Sequence, residues 1–322
     1  MKVSVLLATY NNEKYIGELL SSLLNQTYGD FTCYIHDDGS ADGTMDIVED
    51  FSDRYPGRFV IVGDPPGTSA GTHFGAKGNF FYLLSEVDSD IYLFADGDDV
   101  WMKDKIKKSV TSLMALGQQD IPLLVFCDMK VTDEALRVTG DSFVRTIGRD
   151  MHYTDYREIV MDNPAAGCAM CFNRACRDAA ILKQGDEDFR EVTDSVEMHD
   201  VWLLITAALL GRVGVIEEPL VYYRQHGDNE MGAKSENFLQ KIGRNLSGLL
   251  SGDILQKKRA YYDNARALAE AASKLPGISG EDRDILQRFC SIREYSKLKR
   301  ILFLKNNGFR RKRHSLWIWL WV

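Results

Sequence analysis

Three carboxylates stand within four positions of the chain, at Asp96, Asp98 and Asp99 in the stretch FADGDDVW. Like charges this close repel one another, so the cluster costs stability unless a cation or a set of hydrogen-bond donors compensates it. An apolar run comes directly before the cluster, and a run with helical spacing follows it. The residues therefore predict that a cation or a set of hydrogen-bond donors compensates the cluster at the end of a buried strand. The alternative is a solvated acidic turn that caps the next helix.

Two more polar clusters end apolar runs in the same way. Thr9, Tyr10, Asn11 and Asn12 end the run at 3–10, and the cluster at 37–40, DDGS, ends the run at 31–38. Ligands of open parallel sheets bind at the carboxyl ends of the strands, so we expect all three clusters to converge on one rim. Neither a GxGxxG nor a P-loop motif occurs. Carboxylates in place of glycines suggest that a metal ion, and not a backbone nest, carries phosphate charge here.

The periodicity of the apolar residues predicts an α/β fold. Strands are expected at 3–10, 31–38, 58–64 and 91–96, alternating with helices at 13–26, 43–55, 79–87 and 103–116. Such alternation specifies βαβ units and a mostly parallel sheet flanked by helices. The second half is less regular, with strands expected at 123–131, 167–173 and 219–226 and a helix at 198–211. From about residue 234 the chain becomes charged and mainly helical, which predicts a helical appendage.

Composition and charge narrow the class of protein. The 322 residues are 45% hydrophobic and 27% charged, as in ordinary globular proteins, and the net charge of −8 argues against a general nucleic-acid binder. Six cysteines without framework spacing, and no signal peptide at MKVSVLLATY, predict a cytoplasmic protein. The longest apolar stretch, at 201–210, is about half the length of a membrane span, so no transmembrane helix is expected.

The order of the motifs resembles that of a known family. VSVLLATYNNEKYI, DDGSADGT and FADGDDVW are similar to the motifs of family 2 glycosyltransferases with the GT-A fold. The resemblance continues through MHDVW and YYRQHGDN and covers roughly residues 2–230. DGDDVW together with YRQHGDN is especially similar to bacterial rhamnosyltransferases of surface-polysaccharide assembly. We therefore expect a GT-A domain at 1–230, a helical extension at 231–308 and a basic, Trp-rich tail at 309–322.

The resemblance implies an activity. It implies a metal-dependent, inverting transfer of a sugar from a nucleoside diphosphate to a hydroxyl of a growing polysaccharide or of a lipid-linked acceptor. A non-catalytic subunit that binds sugar nucleotide or polysaccharide is an alternative, which loss of the DxD pair or of the MHD carboxylate would favour; both are intact. A sugar nucleotidyltransferase would need a Gly-rich basic loop after the first strand, and ATYNNEKY is neither.

The resemblance also assigns residues to the donor. Asp38 matches the position that bonds the nucleotide base, and the same pocket is lined by Thr9, Tyr10 and Asn11. In the segment GTHFGAKGNFFYLL, Lys77 and Asn79 are expected to contact the donor, although Asn79 could equally be a helix cap. Gly97 stands where the family commonly has Gln, Ser or Ala, a change that we expect to alter backbone freedom more than chemistry.

The metal and the diphosphate are assigned to two motifs. Asp96 is expected to face the ribose or metal-bound waters, and Asp98 to ligate Mg²⁺ or Mn²⁺. Arg224 and His226 lie two apart in a predicted strand and share a face. They are expected to donate to the diphosphate or to complete the metal shell, with an ordinary polar edge strand as the alternative.

A base is needed to take a proton from the acceptor hydroxyl. Asp200 of MHDVW stands where the family's catalytic carboxylate stands, at the start of an apolar helix. The alternative is a first-turn residue favoured by the helix dipole. His199 either orients that carboxylate or packs. Cys168 and Cys171 are spaced as CxxC but lie in an apolar run without a second pair, so we expect buried structural cysteines.

The tail contains a dense basic run at 310–313, followed by Trp317, Trp319 and Trp321. Basic residues beside tryptophans suit the headgroup boundary of a bilayer, which predicts peripheral attachment through residues 309–322 at the cytoplasmic face. Because the tryptophans alternate, a packing strand or a strand that forms a homodimer is the alternative.

Overall fold

The computed structural model describes residues 1–65, 67–68, 72–181, 196–227 and 253–311. Parts of three predictions lie outside these ranges. They are the tail at 312–322, the end of the YYRQHGDN motif and the first part of the helical extension, up to residue 252.

The first third of the chain forms the predicted βαβ units. The strands β1 (Val3–Thr9), β2 (Thr32–Asp37), β3 (Phe59–Ile61) and β4 (Ile91–Asp96) pair in parallel in the order β3-β2-β1-β4. The helices between them are α1 (Ile16–Leu24), α2 (Thr44–Arg54) and α3 (Gly75–Glu86). The prediction of an α/β fold with a mostly parallel sheet is confirmed.

The second part extends the sheet as β4-β8-β6-β9-β5, with β7 beside β6. Its elements are β5 (Val100–Trp101), α4 (Lys105–Ala115), β6 (Leu123–Thr132), β7 (Val138–Gly140), α5 (Phe143–Ile147), α6 (Tyr156–Met161), β8 (Met170–Asn173), α7 (Arg174–Ala180), α8 (His199–Leu210) and β9 (Arg212–Arg224). β8 is antiparallel to both β4 and β6, whereas β9 runs parallel to β6. The short elements β5, β7 and α5 to α7 were not predicted, because they are too brief to show a periodicity.

β9 begins at Arg212 and not at the predicted Pro219. The pairing of β9 with β6 shifts register just before Pro219, so the proline lies at an irregularity of the ladder. Proline cannot donate to a ladder and is found at such places within sheets. It therefore marks a break inside one strand and not the start of the strand.

Side chains on the two faces of the sheet build two hydrophobic clusters. In β4, Tyr92 and Phe94 enter one cluster, and Leu93 and Ala95 enter the other. A strand buried on both faces reads as a continuous apolar run, which is why the sequence revealed β4 directly. Parallel pairing with β1 then places the carboxyl end of β4 beside that of β1.

Three helices follow the sheet: α9 (Asp253–Ser273), α10 (Gly280–Cys290) and α11 (Lys297–Asn306). They contribute Leu268, Phe289 and Phe303 to the same cluster that contains Trp202 of α8. The predicted helical extension is thus present, and the domain boundaries stay a prediction. Among the described helices, none combines the length and apolar character needed to cross a bilayer.

The chain returns to the sheet domain after α11. Arg310 forms an ion pair with Glu158 of α6, and Arg311 lies 3.5 Å from the carboxylate of Asp162. Asp162 is 1% exposed and also lies 3.3 Å from Arg149. Burial raises the pKa of Asp162, and both guanidinium groups oppose that rise. Two of the four basic residues that we expected at a membrane therefore contact the protein itself.

Candidate active site

The parallel register brings the three polar clusters together. Thr9 of β1 is opposite Asp37 of β2, and Ala8 of β1 is opposite Asp96 of β4. The clusters therefore follow neighbouring strands at the same edge of the sheet. The predicted single rim is confirmed.

The loop after β1 is held by its own amides. The buried Thr9 donates through Oγ1 to Asn12 Oδ1 at 2.9 Å. Asn11 adopts a left-handed backbone with a φ of 50°, and its Oδ1 accepts from the N–H of Ala41 at 2.8 Å. Asparagine tolerates that conformation better than most residues. Asn11 thus bridges the first two clusters, while the ring of Tyr10 is 48% exposed at the rim.

Asp38 holds the start of α3. Its two carboxylate oxygens accept from the backbone N–H groups of Phe74 (2.6 Å) and Gly75 (2.9 Å), and the side chain is largely buried. The Asp38 carbonyl lies 2.6 Å from Nδ1 of His73. These contacts place the loop before α3 against the end of β2. The role of Asp38 in binding a base stays a prediction.

The two residues predicted in α3 lie in different surroundings. Because α3 begins at Gly75, Asn79 is inside the helix, and the alternative that it caps the helix is wrong. Asn79 is 1% exposed, and its Oδ1 lies 2.7 Å from Nδ1 of His36. Lys77 donates to the carbonyl of Val196 at 2.9 Å, which ties α3 to the chain just before α8. Donor contacts by either residue stay predictions.

The carboxylates of the acidic cluster lie in two different surroundings, one beside His226 and one beside Cys168. Asp98 lies 2.8 Å from Nε2 of His226, whose ring stacks on Tyr15 at 4.9 Å. Asp96, Asp99 and Cys168 instead place their ligand atoms within 4.8 Å of one another. Asp99 has no role of its own in the prediction from sequence, because sequence alone does not show which way each carboxylate of the loop points.

Asp99 is fully buried, its Oδ2 accepts no hydrogen bond from a nitrogen or oxygen within the described part of the chain, and the thiol of Cys168 lies beside its carboxylate. Burial, followed by the charges of Asp98 and Asp96, raises the pKa of Asp99 well above its ordinary value. An unsatisfied carboxylate oxygen among further carboxylates, with an imidazole beside Asp98, is a donor set that suits Mg²⁺ or Mn²⁺. The residues present therefore fit the implied cation.

Arg224 supports the acidic loop from behind. It is 2% exposed, its backbone N–H donates to Asp99 Oδ1 at 3.1 Å, and its Nε donates to the carbonyl of Asp98 at 2.8 Å. Its guanidinium also pairs with Glu18 and lies 4.7 Å from the ring centre of Tyr15. These contacts give Arg224 a role in positioning the loop. A direct contact with diphosphate stays a prediction.

Gly97 is explained by a close approach and not by backbone freedom. It does not have the positive φ found at other glycines such as Gly39. A Cβ at Gly97 would lie 2.4 Å from Asn12 Oδ1, far inside normal contact. The backbone conformation of Gly97 thus does not itself call for glycine, and the expected effect on backbone freedom stays a prediction. The amide of Asn12, which ties the loop after β1, occupies the space that a side chain would need.

Asp200 lies in the first turn of α8 and accepts a 2.5 Å hydrogen bond from the N–H of Val201. The N–H of Gly167 also donates to its carboxylate. Burial nevertheless raises the pKa of Asp200 to about 6. A helix dipole acting alone would lower this pKa, so desolvation is the larger effect. A carboxylate with such a pKa is mostly ionised at neutral pH and is a stronger base than an exposed aspartate.

His199 packs and does not orient Asp200. Its ring centre lies 4.2 Å from that of Phe80 and 4.9 Å from that of Phe94. Neither ring nitrogen has a partner among the residues that the structure describes, and burial lowers its pKa to about 3. A Cβ at Gly167 would lie 2.7 Å from His199 Nε2, so this position needs glycine. No single-sequence signal pointed to Gly167.

The cysteines behave as predicted. Cys168 and Cys171 are buried and free, and burial raises the pKa of both thiols. The CxxC spacing is therefore neither a disulfide nor a redox pair. Cys168 nevertheless lies beside the acidic cluster, which was not foreseen.

Comparison with known proteins agrees with this geometry. The profile described as glycosyl transferase family 2 matches residues 4–181, more than half of the chain. The chain belongs to this family. It is 28% identical over 272 residues to dTDP-rhamnosyl transferase RfbG of Shigella flexneri, covering 81% of this chain and 84% of that protein. It is 24% identical over 299 residues to the uncharacterized glycosyltransferase alr2836 of Nostoc, covering 83% and 84%.

A solved structure shows the same fold. S. aureus TarS 1–349 in complex with UDP-GlcNAc superposes with a TM-score of 0.56 at 19% identity, over 92% of this chain and 74% of TarS 1–349. The family 2 glycosyltransferase is thus an α/β enzyme of the GT-A type, as the resemblance implied.

The raised pKa of Asp200 predicts a pH-dependent cost in stability. The folded state holds this proton more tightly than the unfolded state, so stability is lost as pH rises from about 4 through about 6. Asp200→Asn removes that loss. The free energy of unfolding of Asp200→Asn, measured in urea relative to the wild type, should increase by on the order of 1–3 kcal/mol between about pH 4.5 and pH 8. The exposed control Asp120→Asn should show no such trend, and a constant difference for Asp200→Asn would contradict the assignment.

Proposed function

We propose that this family 2 enzyme is a metal-dependent, inverting glycosyltransferase. It would move a sugar from a nucleoside diphosphate to a hydroxyl of a growing cell-surface polysaccharide or of a lipid-linked acceptor. The observation that carries the proposal is the turn at Gly167–Ala169. Gly167 donates to Asp200, and the thiol of the next residue, Cys168, lies beside Asp96 and Asp99. A basic carboxylate and an acidic cluster therefore meet at adjacent residues.

The donor is proposed from the rim and from the relatives. The rim offers the exposed ring of Tyr10 and the bridging amide of Asn11 to a nucleotide. Asp98 and His226 would hold the cation, which, when bound, stabilises the negative charge of the departing diphosphate. RfbG is named a dTDP-rhamnosyl transferase, so we propose rhamnose as the sugar and a deoxythymidine diphosphate as the carrier.

Asp200 supplies the base of the proposed reaction. Its carboxylate accepts the proton of the acceptor hydroxyl while the oxygen attacks the anomeric carbon from the face opposite the leaving diphosphate. One displacement of this kind inverts the anomeric configuration. Val201 and Gly167 fix the carboxylate through their N–H groups, so it needs no further reorganisation.

The proposed location of the enzyme in the cell is supported by its cysteines. All six cysteines are free, which suits a reducing compartment. We therefore keep a cytoplasmic location, peripheral to the cell membrane, as part of the proposal.

Asp98→Asn should abolish metal-dependent donor binding, because the substitution removes the ligand charge and keeps the shape. Calorimetry of dTDP-sugar and UDP-sugar binding with and without Mn²⁺ measures this. Asp120→Asn changes the same charge at an exposed position and should bind as the wild type does. Equal, metal-independent affinity in Asp98→Asn and the wild type would rule out the assignment.

Asp200→Asn should leave donor affinity nearly unchanged and lower turnover by roughly 10² or more, since only proton removal in the transition state is lost. In the wild type, kcat/KM should fall as pH drops below about 6, the pKa of Asp200. Asp120→Asn, which makes the same substitution at an exposed position, is the matched control and should turn over as the wild type does. Turnover of Asp200→Asn within a few-fold of the wild type would assign the base to another residue.

A further inference from the structure

The outward face of α11 exposes an unusual pair of leucines. Leu298 is 67% exposed and Leu302 is 47% exposed, and their spacing of four places both on one face of the helix. Leu298 is the most exposed large apolar side chain in the described part of the protein. The remaining ones stand on separate segments: Met1, Tyr10, Ile61, Met114 and Val138.

The same helix is strongly basic in an acidic protein. α11 has the sequence KLKRILFLKN, with four basic residues and no acidic one, whereas the whole chain carries a net charge of −8. Lys297, Lys299 and Lys305 are exposed and form no ion pair with any residue that the structure describes. Lys305 follows Leu298 by seven positions and so continues the leucine stripe.

The packing of α11 does not need these leucines. Phe303 and Leu304 are 5% and 1% exposed and face the core, and Phe303 stacks with Phe309 at 5.8 Å. This inner face packs α11 into the core. The outer leucines lie outside that packing and add apolar surface exposed to water.

We infer that the outward face of α11, formed by Lys297, Leu298, Lys299, Leu302 and Lys305, docks on an anionic membrane surface. The leucines enter the boundary between headgroups and acyl chains, and the lysines meet anionic headgroups, whose charge complements theirs. Two leucines are far less than a stable protein interface needs, which is about 800 Å² per partner. A bilayer, in contrast, accepts a small apolar insertion when several cations assist it.

The position of α11 connects this surface with the site. Arg311 follows the helix end by five residues, at most about 18 Å of chain, and contacts Asp162. The segment from Asp162 leads to Gly167, which donates to Asp200. If the proposed function holds, docking through α11 keeps the enzyme at the membrane surface that carries a lipid-linked acceptor.

Vesicle co-sedimentation of the full chain tests the inference, and it needs no sugar transfer. The wild type should bind phosphatidylcholine vesicles containing phosphatidylglycerol, bind weakly to phosphatidylcholine alone, and lose binding as salt screens the lysines. The double variant Leu298→Ser/Leu302→Ser should partition at least roughly tenfold more weakly. The matched control Met114→Ser/Val138→Ser removes two exposed apolar side chains elsewhere and should bind as the wild type does.

A shortened chain that ends at Arg311 tests whether α11 binds the membrane without the tail at 312–322. It keeps the ion pairs of Arg310 and Arg311, which a chain ending at Gly308 would lose, leaving Glu158 unpaired. This shortened chain should still bind anionic vesicles. The inference is overturned if the full chain does not bind, or if the leucine variant binds as the wild type does. It is also overturned if the leucine substitutions change only the oligomeric state in sedimentation velocity, which would make the face a contact between copies of the chain.

Discussion

The mutual repulsion of Asp96, Asp98 and Asp99 is the constraint on which the architecture of the rim depends. Part of it is relieved within the protein, since the backbone N–H of Arg224 donates to the Asp99 carboxylate, its Nε donates to the Asp98 carbonyl, and His226 lies against the Asp98 carboxylate. Burial and the neighbouring charges raise the pKa of Asp99, so this carboxyl resists ionisation beside the other two. The remaining negative charge is what a bound divalent cation would neutralise.

Much of this arrangement could be predicted from the sequence, because buried parallel strands appear as apolar runs and their polar ends must meet at one edge. The rest depends on contacts that have no local signal. The first half of β9 was missed because Pro219 was taken as the start of the strand, and the crowding at Gly97 comes from Asn12, which is distant in sequence and approaches it in space. Which carboxylate faces His226 and which faces Cys168 depends on the antiparallel insertion of β8, which periodicity does not reveal.

The segment after α11 contacts the part of the chain that leads to the candidate active site. Arg311 and Arg149 both lie against the buried carboxylate of Asp162. A short segment leads from Asp162 to Gly167, whose N–H donates to Asp200. A basic run that looked like a membrane signal thus begins as an internal ion-pair network. The exposed charge and apolar surface suited to a bilayer lie one helix earlier, on α11.

The most direct test of the central claim is an anomalous diffraction map at the manganese edge, from crystals grown with Mn²⁺ and a nucleoside diphosphate. We expect one strong peak at the rim, bonded to the Asp98 carboxylate and to the diphosphate, with the His226–Asp98 contact opened or bridged by the ion. Bound diphosphate without a peak at Asp98, or a peak away from the acidic loop, would contradict it.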